Sequence, residues 1–280
     1  MDSAQTHVLD RAGSRLHYWT TGPADGPLVV FTHGATLDHE MFAPQREPLA
    51  AAGYQVLAWD MRGHGLSKPM GTTFTLSMAA DDLVAIVDQI GRDSAILVGQ
   101  SFGGFVAQQV MFRYPGRVHA LAVIGCTDLA SGPSRGMKLA WWILPRLLRL
   151  FPVSSFRRRT VQDLSTRDDV KRYGYEATGQ LSKDEFITLI MAGVDCLAAD
   201  LGYGTDYTIP RPFLLTHGEQ DKANRGIYPR RAPAWAAKEP NCTYQVVPDA
   251  GHTANLDNPE AFNRLLLEFL ARHASSPAPH

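Results

Sequence analysis

The sequence predicts an α/β protein: a mostly parallel eight-stranded sheet with helices on both faces and a helical block inserted after the sixth strand. Two observations predict it. Short apolar runs rich in β-branched and aromatic residues alternate with stretches of helical periodicity over most of the 280 residues. That alternation stops after Cys126 and resumes at Phe213, and no β-branched strand run occurs between Ser131 and Asp206.

The elements follow in order. His7 to Leu9 and Arg15 to Trp19 read as two antiparallel edge strands, and Leu28 to Thr32 as a buried one. Met41 to Ala52 is helical and is stopped by Gly53. Tyr54 to Trp59 is the next strand. Ser77 to Ile90 carries Leu83, Ile86, Val87 and Ile90 on one helical stripe and stops at Gly91. Ala95 to Val98 is a strand, Phe102 to Tyr114 a helix and Val118 to Ile124 a strand. The inserted block reads as helices at Met137 to Leu150, Ser154 to Ser165, Val170 to Gly179 and Lys183 to Leu197. Phe213 to Thr216 (strand), Ala232 to Ala237 (helix), Thr243 to Val247 (strand) and Pro259 to Arg272 (helix) complete the pattern.

The domain reading is therefore a core domain of residues 1–130 and 207–273, a helical cap of residues 131–206, and a frayed tail of residues 274–280. Such a cap lies near the carboxyl ends of the strands, where open α/β sheets bind their ligands. Ala192-Gly193, Gly202 and Gly204 are candidate hinges. Composition excludes other classes. Hydrophobic residues at 45% and charged residues at 20% exclude wholesale disorder. Lys+Arg 27 against Asp+Glu 28 provides no overall basic field for a nucleic acid. Cys126, Cys196 and Cys242 are odd in number and widely spaced, which argues against a disulfide framework. The amino terminus lacks a secretory pattern, and the most apolar stretch, Leu139 to Phe151, is too short and too charged to span a bilayer. The expectation is a cytoplasmic protein.

Chemistry concentrates in Gly99-Gln100-Ser101-Phe102-Gly103, a G-x-S-x-G pattern with a strand before it and a helix after it. A sharp strand-to-helix turn holds the serine in strained backbone geometry, so the residues two places away must be small. The hydroxyl then projects above the sheet beside unpaired N–H groups at the helix start. Other loops at strand ends fit the same picture. His33-Gly34-Ala35 follows the third strand and Asp60-Met61-Arg62-Gly63-His64-Gly65-Leu66-Ser67 the fourth. His217-Gly218-Glu219-Gln220-Asp221 follows the seventh, and Ala250-Gly251-His252 the last.

Together these motifs resemble the α/β-hydrolase superfamily, in its serine-nucleophile branch with a helical cap (esterase-, lactonase- and perhydrolase-like), over nearly the whole chain. The order Ser101, Asp221, His252 agrees with the family's order of nucleophile, acid and histidine. The resemblance implies that His252 serves Ser101 as base and that Asp221 fixes the imidazole tautomer. The backbone N–H groups of Ala35 and Phe102 would form the oxyanion hole. Asp128, after the sixth strand, is the alternative acid. Glu219 lies two residues from Asp221. His33, His64, Asp60 and Arg62 read as loop organisers.

Serine rather than aspartate at the elbow argues against epoxide hydrolase and haloalkane dehalogenase chemistry. No H-E-x-x-H, C-x-x-C, P-loop or G-x-G-x-x-G motif occurs, so no metal, cofactor or nucleotide is expected. Trp141, Trp142, Leu144 and Met191 are the candidate wall of a hydrophobic substrate pocket, with Phe156, Tyr173, Tyr175 and Leu197 as further contributors. Arg157-Arg158-Arg159, with Arg146 and Arg149 before them, form a local basic cluster, read first as a solvated face. The expected activity is hydrolysis of a small to medium hydrophobic ester or lactone through an acyl-enzyme. Carbon–carbon, amide or perhydrolase chemistry on the same residues is the second reading. A non-catalytic ligand receptor on the same fold is the third.

Overall fold

In the computed structural model the described residues are 4–71, 74–130, 152–198, 204 and 206–273. Eight strands form one sheet in the order β1-β2-β4-β3-β5-β6-β7-β8. The strands are β1 (Gln5–Arg11), β2 (Ser14–Thr21), β3 (Leu28–Thr32), β4 (Gln55–Trp59), β5 (Ala95–Gln100), β6 (Val118–Ile124), β7 (Phe213–Gly218) and β8 (Cys242–Val247). The β1–β2 and β2–β4 pairs are antiparallel, and every other pair is parallel. Strand order reverses between β3 and β5, so the crevice beyond their carboxyl ends is the topological switch point.

The helices of the core are α1 (Ala43–Ala51), α2 (Leu76–Gln89) and α3 (Phe102–Arg113). After β7 come α7 (Ile227–Lys238), α8 (Ala254–Asp257) and α9 (Pro259–His273). Side-chain alternation along β3 explains the two-sided core. Val29 and Phe31 join a cluster with Leu266, Phe269 and Leu270 of α9, whereas Leu28 and Val30 join Leu83 and Ile86 of α2 and Val106 of α3. Thr75 starts α2 by accepting from the Met78 N–H at 3.2 Å. Several boundaries differ from the sequence expectation; β1, for example, spans Gln5–Arg11 rather than His7 to Leu9. β5 runs through Gly99 and Gln100 because both pair with β6. α7 begins at Ile227, after Gly226 at φ +67°, and continues through Pro233.

Between β6 and β7 the described residues form α4 (Val153–Leu164), α5 (Asp168–Gly179) and α6 (Lys183–Ala198), with no strand among them. A reciprocal cap opens α6. Ser182 Oγ accepts from the Glu185 N–H at 3.2 Å, and Glu185 Oε2 accepts from the Ser182 N–H at 2.8 Å. The insertion is fastened to loops at the carboxyl ends of three strands. Tyr173 donates to Asp38 Oδ1 at 2.7 Å beyond β3, and Lys68 beyond β4 donates to the Gln180 carbonyl at 3.3 Å. Beyond β8, the Thr253 N–H donates to the Leu164 carbonyl at 2.9 Å. Ala192 and Gly193 lie inside α6, so the hinge expected there has no helix break to act through. The predicted helix of residues 137–150, the tail of residues 274–280 and Gly202 lie outside the described residues.

Candidate active site

Ser101 follows β5 and immediately precedes α3, with φ +50° and ψ −114°. A non-glycine residue there is strained, and the surroundings enforce the strain. The Ser101 N–H donates to the Ile124 carbonyl of β6 at 2.8 Å. The neighbouring glycines are required by space. A Cβ on Gly99 would stand 2.2 Å from the Gly103 carbonyl oxygen, and one on Gly103 would stand 2.0 Å from the Thr32 carbonyl oxygen. The Ser101 side chain makes no capping bond and is half-buried.

His252 follows β8 and Asp221 follows β7. His252 Nδ1 lies 2.9 Å from Asp221 Oδ2, and the two side chains are 5% and 0% exposed. The other Asp221 oxygen, Oδ1, accepts from the Ala223 N–H at 2.9 Å. A proton on Nδ1 leaves Nε2 with its lone pair outward, the form a general base needs. The imidazole is held from other sides too. Tyr228 stacks on it with centroids 4.8 Å apart and planes 20° off parallel. Gln100 Nε2 donates to the His252 carbonyl at 3.0 Å, joining the residue before Ser101 to the histidine loop. His252 and Ser101 make no direct hydrogen bond in this conformation, and such bonds often tighten only with substrate bound. The alternative acid is engaged elsewhere: Asp128 accepts from the Ala130 N–H at 2.7 Å and pairs with Lys238 at 3.4 Å. Glu219 accepts from the Asp249 N–H.

Gly125 is a member of this arrangement that sequence reasoning missed. It follows β6 at φ +56°, and a Cβ there would lie 2.8 Å from His252 Nδ1 and 3.3 Å from Asp221 Oδ2. Its one signal is a glycine at a strand's carboxyl end.

The loop beyond β3 approaches Ser101 closely. A Cβ on Gly34 would lie 3.5 Å from the Ser101 Cβ and 2.1 Å from Gln100 Oε1. Among the described residues the N–H groups of Ala35 and Phe102 find no acceptor. His33 shapes this loop. Its Nδ1 lies 2.8 Å from the Gly34 carbonyl, and its Nε2 accepts from the Met61 N–H at 3.0 Å. Burial lowers its pKa and keeps it neutral. Burial likewise lowers His64 to about 3.

His39 was also missed. Its Nδ1 contacts Asp60 Oδ1 at 2.9 Å and its Nε2 contacts Glu40 at 3.1 Å, while its ring stacks on Trp19. Burial works against its charge, but hydrogen bonds to Asp60 and Glu40 outweigh it and raise the pKa to about 9. Asp60 also accepts from the N–H groups of His39 and Leu66, so it ties the β3 loop to the β4 loop. Arg62 forms a buried two-pronged pair with Asp82, both contacts 2.7 Å. The organising roles expected of His33, Asp60 and Arg62 match these contacts.

Met191 is buried in α6. Trp141, Trp142, Leu144, Arg146 and Arg149 lie outside the described residues. Tyr175 is 45% exposed and so does not line an enclosed wall, and Tyr173 is spent on Asp38. Phe156 packs edge-to-face on Phe186. Arg157 departs from the solvated-face expectation. It donates to the Leu181 carbonyl and lies 5.4 Å over the Phe186 ring, joining α4 to α6, whereas Arg158 and Arg159 are exposed. Among the described residues no cluster of three His, Cys, Asp or Glu side chains could hold a metal ion. None of their helices is long and apolar enough to cross a membrane.

The sheet order, the strained serine at the switch point and the histidine–carboxylate pair beside it define a hydrolase fold of the α/β class. The chain belongs to the alpha/beta hydrolase family, whose model matches residues 29–265. It is 28% identical to 2-hydroxymuconate semialdehyde hydrolase of Pseudomonas putida, over 78% of this chain and 77% of that protein. It is 29% identical to pimeloyl-(acyl-carrier protein) methyl ester esterase of Salmonella newport, over 89% of this chain and 96% of that protein. A thermophilic esterase from Thermogutta terrifontis shares the fold, with a TM-score of 0.82 and 22% identity over 97% of this chain and all of that one.

Proposed function

We propose that the protein is a serine hydrolase that cleaves a carboxylic ester or lactone of a small to medium hydrophobic substrate. One observation carries the reading. Ser101 stands in strained backbone geometry at the start of α3, and the buried His252–Asp221 pair stands beyond the carboxyl ends of β7 and β8. In this reading Ser101 Oγ attacks the substrate carbonyl as His252 Nε2 takes its proton. The tetrahedral oxyanion is held by the Ala35 and Phe102 N–H groups, each worth about 2.7–4 kcal/mol. Collapse breaks the carbonyl–alkoxide bond, and His252 returns the proton to the leaving alcohol. Water repeats the sequence, releasing the acid and free Ser101. Asp221 keeps the imidazole in the productive tautomer and stabilises its charged form.

The insertion of residues 131–206 acts as a cap in this reading, with Met191 of α6 as part of the substrate wall. Likeness to a methyl ester esterase over most of both chains supports ester chemistry. Likeness to 2-hydroxymuconate semialdehyde hydrolase favours, as the second reading, carbon–carbon cleavage by the same residues.

A fluorophosphonate probe is the first test: wild-type protein is labelled at Ser101 and the Ser101→Ala variant is not. Absence of wild-type labelling overturns the proposal and leaves a ligand receptor. Nitrophenyl esters of rising acyl length, together with lactones, then map the pocket. A protein that takes the probe but turns over no ester or lactone belongs to the second reading.

A further inference from the structure

We propose that Asp257 is a positioning residue that couples the helical insertion to the loop carrying His252; this rests on His252 acting as the base. Asp257 ends the short α8 and is buried. Its carboxylate receives three neutral donors, one from its own loop and two from a distant segment. Gly251, directly before His252, donates its N–H to Oδ2 at 2.6 Å. The Thr166 N–H donates to the same oxygen at 3.1 Å, and the Ser165 hydroxyl donates to Oδ1. Ser165 and Thr166 belong to the turn between α4 and α5, inside the insertion.

The other side of His252 is held by the same turn. The Leu164 carbonyl accepts from the Thr253 N–H at 2.9 Å and from the Thr253 hydroxyl at 3.1 Å. Thr253 is bonded back to Asp257, whose own N–H donates to the Thr253 carbonyl at 2.9 Å. Residues on both sides of the histidine thus take hydrogen bonds that lead to residues 164–166 of the insertion.

The fit leaves no slack. A Cβ on Gly251 would lie 3.0 Å from Asp257 Oδ2 and 3.3 Å from the Leu164 carbonyl oxygen. A buried carboxylate is costly unless its lone pairs are filled; besides these donors, Arg167 of the α4–α5 turn acts on it only coulombically. Only the simultaneous presence of the histidine loop and the α4–α5 turn satisfies it. Any shift of that turn moves Gly251 and Thr253, and His252 with them.

The test compares Asp257→Ala, Asp257→Asn and Ser165→Ala with wild type, all as the full chain. Three readouts serve: the fluorophosphonate labelling rate at Ser101, kcat and KM for nitrophenyl acetate, and the low-field proton resonance of the His252 Nδ1–H. A misplacement near 1 Å lowers rates by about 100-fold, so Asp257→Ala loses roughly 10- to 100-fold in labelling and kcat. Its KM changes little and its low-field resonance broadens or disappears. Asp257→Asn keeps an acceptor for Gly251 and recovers most of the rate and the resonance. Ser165→Ala, although it alters only the insertion, slows labelling several-fold. A folded Asp257→Ala protein with wild-type rate and resonance overturns the proposal. Should that variant not fold, Ser165→Ala decides: a wild-type rate and resonance overturn the coupling, and a loss supports it. Wild-type protein that resists the probe overturns the serine-hydrolase reading instead, and the resonance alone then decides the coupling.

Discussion

Asp221 gives one oxygen to His252 Nδ1, at 2.9 Å, and the other to the Ala223 N–H, also at 2.9 Å. The carboxylate is thereby fixed by the backbone of its own loop before it orients the imidazole. Asp128, which competes with it for the acid role in sequence terms, is occupied with Ala130 and Lys238. Asp221→Asn is expected to lower kcat by about 10³–10⁴, because an amide no longer selects the productive tautomer. Asp128→Asn should leave kcat near wild type. Steady-state rates of the two variants on one ester check the assignment, and an intact Asp221→Asn rate would refute it.

Gly125 offers a sharper probe of the same pair. A Cβ there meets His252 Nδ1 at 2.8 Å and Asp221 Oδ2 at 3.3 Å, on a backbone already at φ +56°. Gly125→Ala should reduce kcat by roughly 100-fold through displacement of the imidazole. It should cost only about 1 kcal/mol of stability from the backbone. Thermal unfolding measured beside kcat separates the two effects. A variant with normal turnover would show that the imidazole has room to spare.

His39 predicts a pH-dependent stability. Its folded pKa of about 9 lies above the ordinary histidine value of 6.5. Its contribution is therefore fully present below about pH 6.5 and is lost as the pH rises through about 9. The His39→Gln substitution should destabilise the protein by on the order of 2 kcal/mol at pH 6 and by much less at pH 9.5. Urea unfolding of both proteins at the two pH values checks this. A gap that is constant with pH would mean that His39 acts by packing on Trp19 rather than by charge.

Arg62 and Asp82 form a pair with both side chains 1% exposed. Removing the guanidinium strands a buried carboxylate, so Arg62→Met should cost about 3 kcal/mol. Arg11, whose Nε lies 3.2 Å from Asp82 Oδ1, keeps the loss from being larger. Adding Asp82→Leu should recover much of it. Denaturant midpoints of the single and double variants test the coupling, and additive losses would exclude it.

What was legible in the sequence follows from range. β3, β6 and the elbow carry their information locally, in apolar runs and in glycines two residues from a serine, and these match the structure closely. Ser101, Asp221 and His252 were legible because each lies just beyond a recognisable strand. The start of α7 was not: the expected helix began at Ala232, whereas α7 begins at Ile227. Gly125, His39 and Asp257 were hidden for a different reason. Their partners lie across the fold (His252 for Gly125, Asp60 for His39, Ser165 for Asp257), and no local pattern encodes such contacts. The basic run Arg157-Arg158-Arg159 looked uniform, yet only its first member turns inward onto Phe186.

The backbone of Ser101 has a wider consequence. A residue with a side chain at φ +50° and ψ −114° raises the energy of the folded state by roughly 1–3 kcal/mol. Its hydroxyl contributes no helix cap in return. Ser101→Gly should therefore give a more heat-resistant protein that has lost its nucleophile. Under the proposed function the native chain sits on the reactive side of that trade-off, giving up thermal endurance at the position where Ser101 Oγ would act as nucleophile.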